Sequence, residues 1–197
     1  MGLHYENLDY VTRLLMAQEL QVGGHHLSPR LTPEGVVAWP ALLAEAVNDG
    51  HDDDWLADEL IRRDLVRPAE AYERGETLHA RNVNPADTAR QLAEGEFNRY
   101  YLRGLCLRAL NEGIPFLVVY RGKDVANPRP ESQAKVGTRV PADVLLETLR
   151  RNDFVAVEGA AGGVPGGPNS GLTCRLPTAE ELATDETTED DRLAKPE

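Results

Sequence analysis

From Pro85 to Asn111 the chain runs without a further proline and carries apolar groups at every angle around a helix. Asn84 offers a side-chain oxygen to the first free backbone N–H groups, Pro85 is preset for a first turn, Asp87 lies near the positive end, and Gly113 stops the run. One side of this helix collects Ala89, Ala93, Phe97, Tyr100, Gly104 and Leu107. A second collects Tyr101, Leu102, Leu105 and Ala109, and a third Leu92, Cys106 and Leu110. A helix that is apolar all round must be enclosed on most sides, so this one is the expected spine of the fold.

The segments before it supply helices for that enclosure. Residues 9–20 place Val11, Leu14, Leu15 and Leu20 at helical spacing, with Gly23-Gly24 as the stop. Thr32-Pro33-Glu34 reads as a helix start, whereas Trp39-Pro40 predicts a break, with Pro40 opening a further helix that turns Leu42, Leu43, Ala46 and Val47 inward. In residues 51–63, Asp52, Asp53 and Asp54 meet the positive end of a helix whose buried stripe is Trp55, Leu56, Leu60 and Ile61. The stretch from Pro68 to Pro85 has few large apolar residues and contains Gly75, the pattern of an exposed hairpin or loop.

After the spine, residues 116–120 read as a buried strand, 141–149 as a helix and 154–158 as a second strand, which together predict a right-handed βαβ crossover. The glycine-rich run 159–171 suits a surface loop, and 172–176 an edge strand. The expected fold is α+β: one domain over 1–176, with an N-terminal helical layer and long central helix (1–113) packed on a small sheet from the strand-helix-strand part (114–176). Residues 177–197 are expected to form a disordered acidic tail, with a transient helix over 179–183, because the run from Glu180 to Asp191 has too few large apolar groups to offset ordering entropy.

Charge is unevenly spread. The 197 residues hold 21 Lys and Arg against 33 Asp and Glu, a net −12, which excludes a uniformly basic surface for gripping phosphates. Residues 96–152 nevertheless carry ten basic and six acidic groups, so the chain is basic in the middle and acidic at both ends. Cys106 and Cys174 lack the spacing of a zinc clip or a disulfide framework. Reduced thiols in a cytoplasm are expected, with no secretory signal in residues 1–20 and no run apolar enough to span a membrane.

Two constellations invite chemistry. On the spine, Glu96, Arg99 and Arg103 point the same way; a carboxylate holding two guanidiniums prepares an anion site, or forms an ion-pair network at the edge of the core. The loop after residues 116–120 gathers Arg121, Lys123, Arg129, Ser132, Lys135, Thr138 and Arg139. With Arg99 and Arg103 behind it, this surface suits a nucleic-acid backbone, a nucleotide phosphate or the acidic face of a protein. The alternatives are a solvated loop and salt-sensitive occupation by the chain's own acidic tail.

Several enzyme classes lack their residues. The glycine-rich run has neither Gly-Lys-Ser/Thr nor G-x-G-x-x-G, no serine sits in G-x-S-x-G, and Arg121 stands where a nuclease-type strand would carry a carboxylate before Gly122-Lys123. His25-His26 and His51-Asp52-Asp53-Asp54 lack metal-site spacing, and no metal or cofactor is expected. Tyr100, Tyr101 and Tyr120, set among leucines, read as packing rather than as base-stacking groups.

The opening 2–9, the run Glu94-Gly95-Glu96-Phe97-Asn98-Arg99-Tyr100-Tyr101, the loop Asn127-Pro128-Arg129-Pro130-Glu131-Ser132 and Gly167-Pro168-Asn169-Ser170-Gly171-Leu172 resemble segments of a group of uncharacterised bacterial proteins. That resemblance covers nearly all the chain except the tail; it implies a bacterial origin and a single co-inherited unit, and carries no activity. The residues themselves leave two hypotheses. One is a non-enzymatic binding or assembly protein that meets a macromolecular partner through Arg99, Arg103, Arg121, Lys123, Arg129, Ser132, Lys135 and Arg139, with the acidic tail tuning the contact. Its partner is expected to be another protein, with nucleic acid as the alternative and no membrane contact. The other is an enzyme acting on a phosphorylated or nucleic-acid substrate, with Glu96 as acid/base and Arg99, Arg103 and Lys123 stabilising negative charge.

Overall fold

Helix punctuation sets the order of elements. The computed structural model describes residues 2–74, 77–151 and 171–184. The chain runs α1 (Tyr10–Val22), α2 (Pro33–Asn48), α3 (Asp53–Arg62), β1 (Ala69–Arg74), β2 (Thr77–Asn82), α4 (Pro85–Asn111), β3 (Phe116–Arg121), α5 (Pro130–Lys135), β4 (Arg139–Pro141), α6 (Ala142–Arg150) and β5 (Leu172–Arg175). Asn84 caps α4 by accepting the Ala86 N–H at 3.0 Å, and Gly113 leaves it at φ 72°, the left-handed region that favours glycine. α1, α3 and α6 pack around α4, which buries Phe97, Tyr100, Tyr101, Leu102, Leu105 and Cys106 completely.

Three helical expectations change. α1 turns Thr12, Met16, Glu19 and Leu20 inward and leaves Val11 and Leu14 exposed. Its contact is set by close approach to Gly104, where an added Cβ would lie 2.7 Å from Met16 Cγ and 2.8 Å from Met16 N. α2 continues through Pro40 as one helix. An interior proline costs about 3 kcal/mol, but Trp39, Leu42, Leu43 and Val47 are buried beside it, each contributing roughly 1.5–3 kcal/mol. α3 starts as expected, with Asp52 accepting the Trp55 N–H at 3.0 Å, but buries Asp53 and exposes Ile61.

β1 and β2 form an antiparallel hairpin between Pro68 and Pro85. A second, three-stranded sheet has the order β4-β3-β5 and is antiparallel throughout. Leu117, Val119, Val140, Leu172 and Cys174 join the main core with α4 and α6. The 154–158 strand, and with it the βαβ crossover, lies outside the described residues. The architecture is α+β. Within the segment expected as a tail, the helix anticipated over 179–183 is present over 179–184; 185–197 lie outside the described residues.

Candidate functional site

Glu96, Arg99, Tyr100 and Arg103 recur at helical spacing on one face of α4, and the strap after α1 lies across them. Gly23 and Gly24, both at φ 83°, turn that strap so that its carbonyls face the arginines. Arg103 Nη1 and Tyr100 Oη donate to Gly23 O at 3.0 and 3.1 Å, and Arg99 donates to Gly24 O. Arg103 is fully buried; its Nε donates to Glu19 Oε2 at 2.8 Å, and Arg150 Nε reaches the same oxygen at 3.0 Å. Burial raises the Glu19 pKa, but hydrogen bonds from Arg150 and Arg103 hold it below the usual range. Glu96 is also enclosed, accepting the His26 N–H at 2.9 Å with Arg99 Nε 3.6 Å away; burial pushes its pKa up against the opposing Arg99 charge. Burial and the nearby Arg99 lower the pKa values of His25 and His26, with Arg103 adding to the effect at His25. Glu96, Arg99 and Arg103 therefore come together as an enclosed ion-pair network that ties the strap to the spine.

Lys123 stands elsewhere. Its Nζ is 2.6 Å from Glu94 Oε2, and Glu94 is nine positions from Arg103, about two and a half turns, on the opposite side of α4. The structure thus separates Lys123 from Glu96, Arg99 and Arg103, the four groups the enzyme reading needs in one pocket.

The remaining expected residues stay near one another along β3, α5 and β4. Arg121 Nη2 donates to Gln133 Oε1 at 3.2 Å. Arg129 is exposed at the start of α5, with Ser132 and Lys135 half-buried in that helix. Neither Arg129 nor Lys135 has an ion-pair partner among the described residues. The Arg139 guanidinium lies 4.5 Å from the Phe116 ring centroid and donates to Glu181 O at 2.9 Å.

That last contact belongs to residues the sequence reading passed over. Thr178 and Glu181 form a capping box: Glu181 Oε2 accepts the Thr178 N–H at 2.7 Å, and Thr178 Oγ1 accepts the Glu181 N–H at 3.3 Å. Glu181 also takes both Arg175 Nη groups, at 2.8 and 2.9 Å, and Arg175 with the Thr178 N–H brings its pKa down to about 2. The T-x-x-E spacing was the available signal; the Arg175 contact had none. Equally hidden was a cavity of about 310 Å³ at the base of the hairpin, lined by Arg30, Glu70, Arg81, Asn84, Asp87 and Gln91 among others. Glu70 there accepts from Arg30 and Arg81.

Among the described residues, no group of three or more His, Cys, Asp or Glu side chains could hold a metal ion, and no helix is long and apolar enough to cross a membrane. No protein-family model matches the chain, and neither a curated protein nor a solved structure does.

Proposed function

We infer that this chain is a non-enzymatic binding or assembly protein of a bacterial cytoplasm, contacting an acidic protein through the surface of β3, α5 and β4, with its acidic C-terminal run tuning the contact. The observation that carries the reading is that Arg129 and Lys135 have no ion-pair partner among the described residues, while Arg121 and Arg139 lie on the flanking strands. Cations left to solvent cost little in isolation and gain most when an acidic face excludes water around them. Arg99, Arg103 and Lys123 have carboxylate partners and serve the fold. The test is capture by the immobilised chain, with captured proteins identified by mass spectrometry and nucleic acid removed by nuclease. Arg129→Glu with Lys135→Glu is expected to abolish capture while leaving the circular dichroism spectrum intact; unchanged capture refutes the reading.

A further inference from the structure

Val118 stands opposite Arg139 on β4 and opposite Arg175 on β5, so the two arginines flank one position of the central strand. Side chains alternate across a strand. Leu117 and Val119 join the main core, which places Phe116 and Val118 on the other face together with the two arginines. Phe116 and Val118 are nonetheless buried. The short acidic helix over 179–184 bonds to both arginines. Glu181 holds Arg175 through both carboxylate oxygens, with Glu6 Oε2 3.6 Å from Arg175 Nε, and holds Arg139 through its main-chain carbonyl; further along the same face Tyr120 Oη is bonded to the His4–Glu6 segment.

The attachment is weak where the sheet beneath it is strong. The Arg175 and Glu181 side chains are 21% and 30% exposed, so water competes for both ends of the pair. β3 is tied on both sides by main-chain ladders, so stability steps down sharply from the strand to the segment lying over it.

The geometry points to this outer sheet face as the docking site for an acidic, amphipathic helix of a partner protein, with the chain's own 178–184 segment as its resting occupant and built-in competitor. It rests on the reading of the chain as a binding protein and gives that reading its partner chemistry and its regulation. The partner helix supplies a carboxylate to Arg175 and apolar groups to the Phe116 and Val118 row. The tethered segment holds the face through high effective concentration rather than strong contacts.

The probe is a fluorescent peptide with the sequence of residues 177–191, titrated by anisotropy against the full chain. Glu181→Ala, which releases the Arg175 clamp in cis, is expected to bind the peptide at least tenfold more tightly than the wild type, and Arg175→Ala in that background to remove binding. No gain in Glu181→Ala overturns the proposal, as does binding that survives Arg175→Ala. A concentration-dependent dimer of Glu181→Ala without peptide assigns the face to a second copy and also overturns it. Hydrogen exchange on the wild type covers misfolding of a variant: amides over 179–184 are expected to exchange at least a hundredfold faster than those of Val118 and Val119, and equal protection makes the segment a fixed part of the fold. Capture that is lost in Arg129→Glu/Lys135→Glu while the peptide fails to bind sinks only the docking face. Peptide binding with capture indifferent to that pair sinks only the basic-loop reading.

Discussion

Replacing Asp53 by asparagine should make the protein more stable at neutral pH, because the fold buries that carboxylate against its own preference. Asp53 begins α3; its Oδ2 accepts the Leu3 N–H at 3.1 Å, and its Oδ1 has no hydrogen-bond partner. Gly2 covers it so closely that an added Cβ would lie 2.5 Å from both oxygens. Burial raises the pKa to about 7, with Asp54 and Glu94 adding repulsion and the Leu3 N–H opposing. Against about 3.9 in an unfolded chain, a gap of roughly three units corresponds to about 4 kcal/mol. The folded state binds this proton more tightly than the unfolded state. The contribution is therefore fully present below about pH 4 and is lost as pH rises through about 7. Asparagine keeps an acceptor for Leu3 and carries no charge, so it stands in for the protonated carboxyl at every pH. Asp53→Asn should consequently exceed the wild type by about 4 kcal/mol at pH 8 and come close to it near pH 4. Urea unfolding of both proteins at half-unit steps from pH 4 to 8 gives the difference curve, in which other titrating groups cancel. Parallel curves would refute the argument, since they would mean that Asp53 ionises alike in both states.

Two further outcomes follow from the α1 and α4 contact. Gly104→Ala gains about 1 kcal/mol in helix propensity but forces a methyl against Met16 N at 2.8 Å and Thr12 O at 3.0 Å. Main-chain atoms cannot step aside, and overpacking of about 1–3 kcal/mol or more should lower the melting temperature; an increase would show that the helices are not so closely apposed. Glu19→Gln leaves the fully buried Arg103 without its counter-charge and should cost about 3–5 kcal/mol in chemical denaturation. Arg150→Ala should cost far less, because Arg150 is 39% exposed and Glu19 keeps Arg103 as its counter-charge; equal losses would contradict the burial argument.

Most element boundaries were legible because they depend on neighbours in sequence. Asn84-Pro85, Thr32-Pro33 and Asp52 start helices through bonds that span two or three residues, and Gly113 ends one through its own φ. Helix faces were read less well. The period in α1 allowed Val11 and Leu14 to turn inward, but close approach at Gly104 and the demand of Arg103 for Glu19 rotated them out. Pro40 reads as a break whenever its local cost is weighed without the core around Trp39 and Leu42.

Charge followed the same division. The count of cations over 96–152 was visible in the chain, as was the T-x-x-E signature of residues 178–181. Which cations keep a surface role was decided by partners far away in sequence: Glu19 for Arg103, Glu94 for Lys123, and Glu181 bridging Arg175 and Arg139. Residue types and short-range bonds thus determined where helices and strands form and that the chain is α+β. Long-range packing alone decided which arginines are sealed inside and which face water, because the interaction of two charges depends on their separation in space and on the water between them.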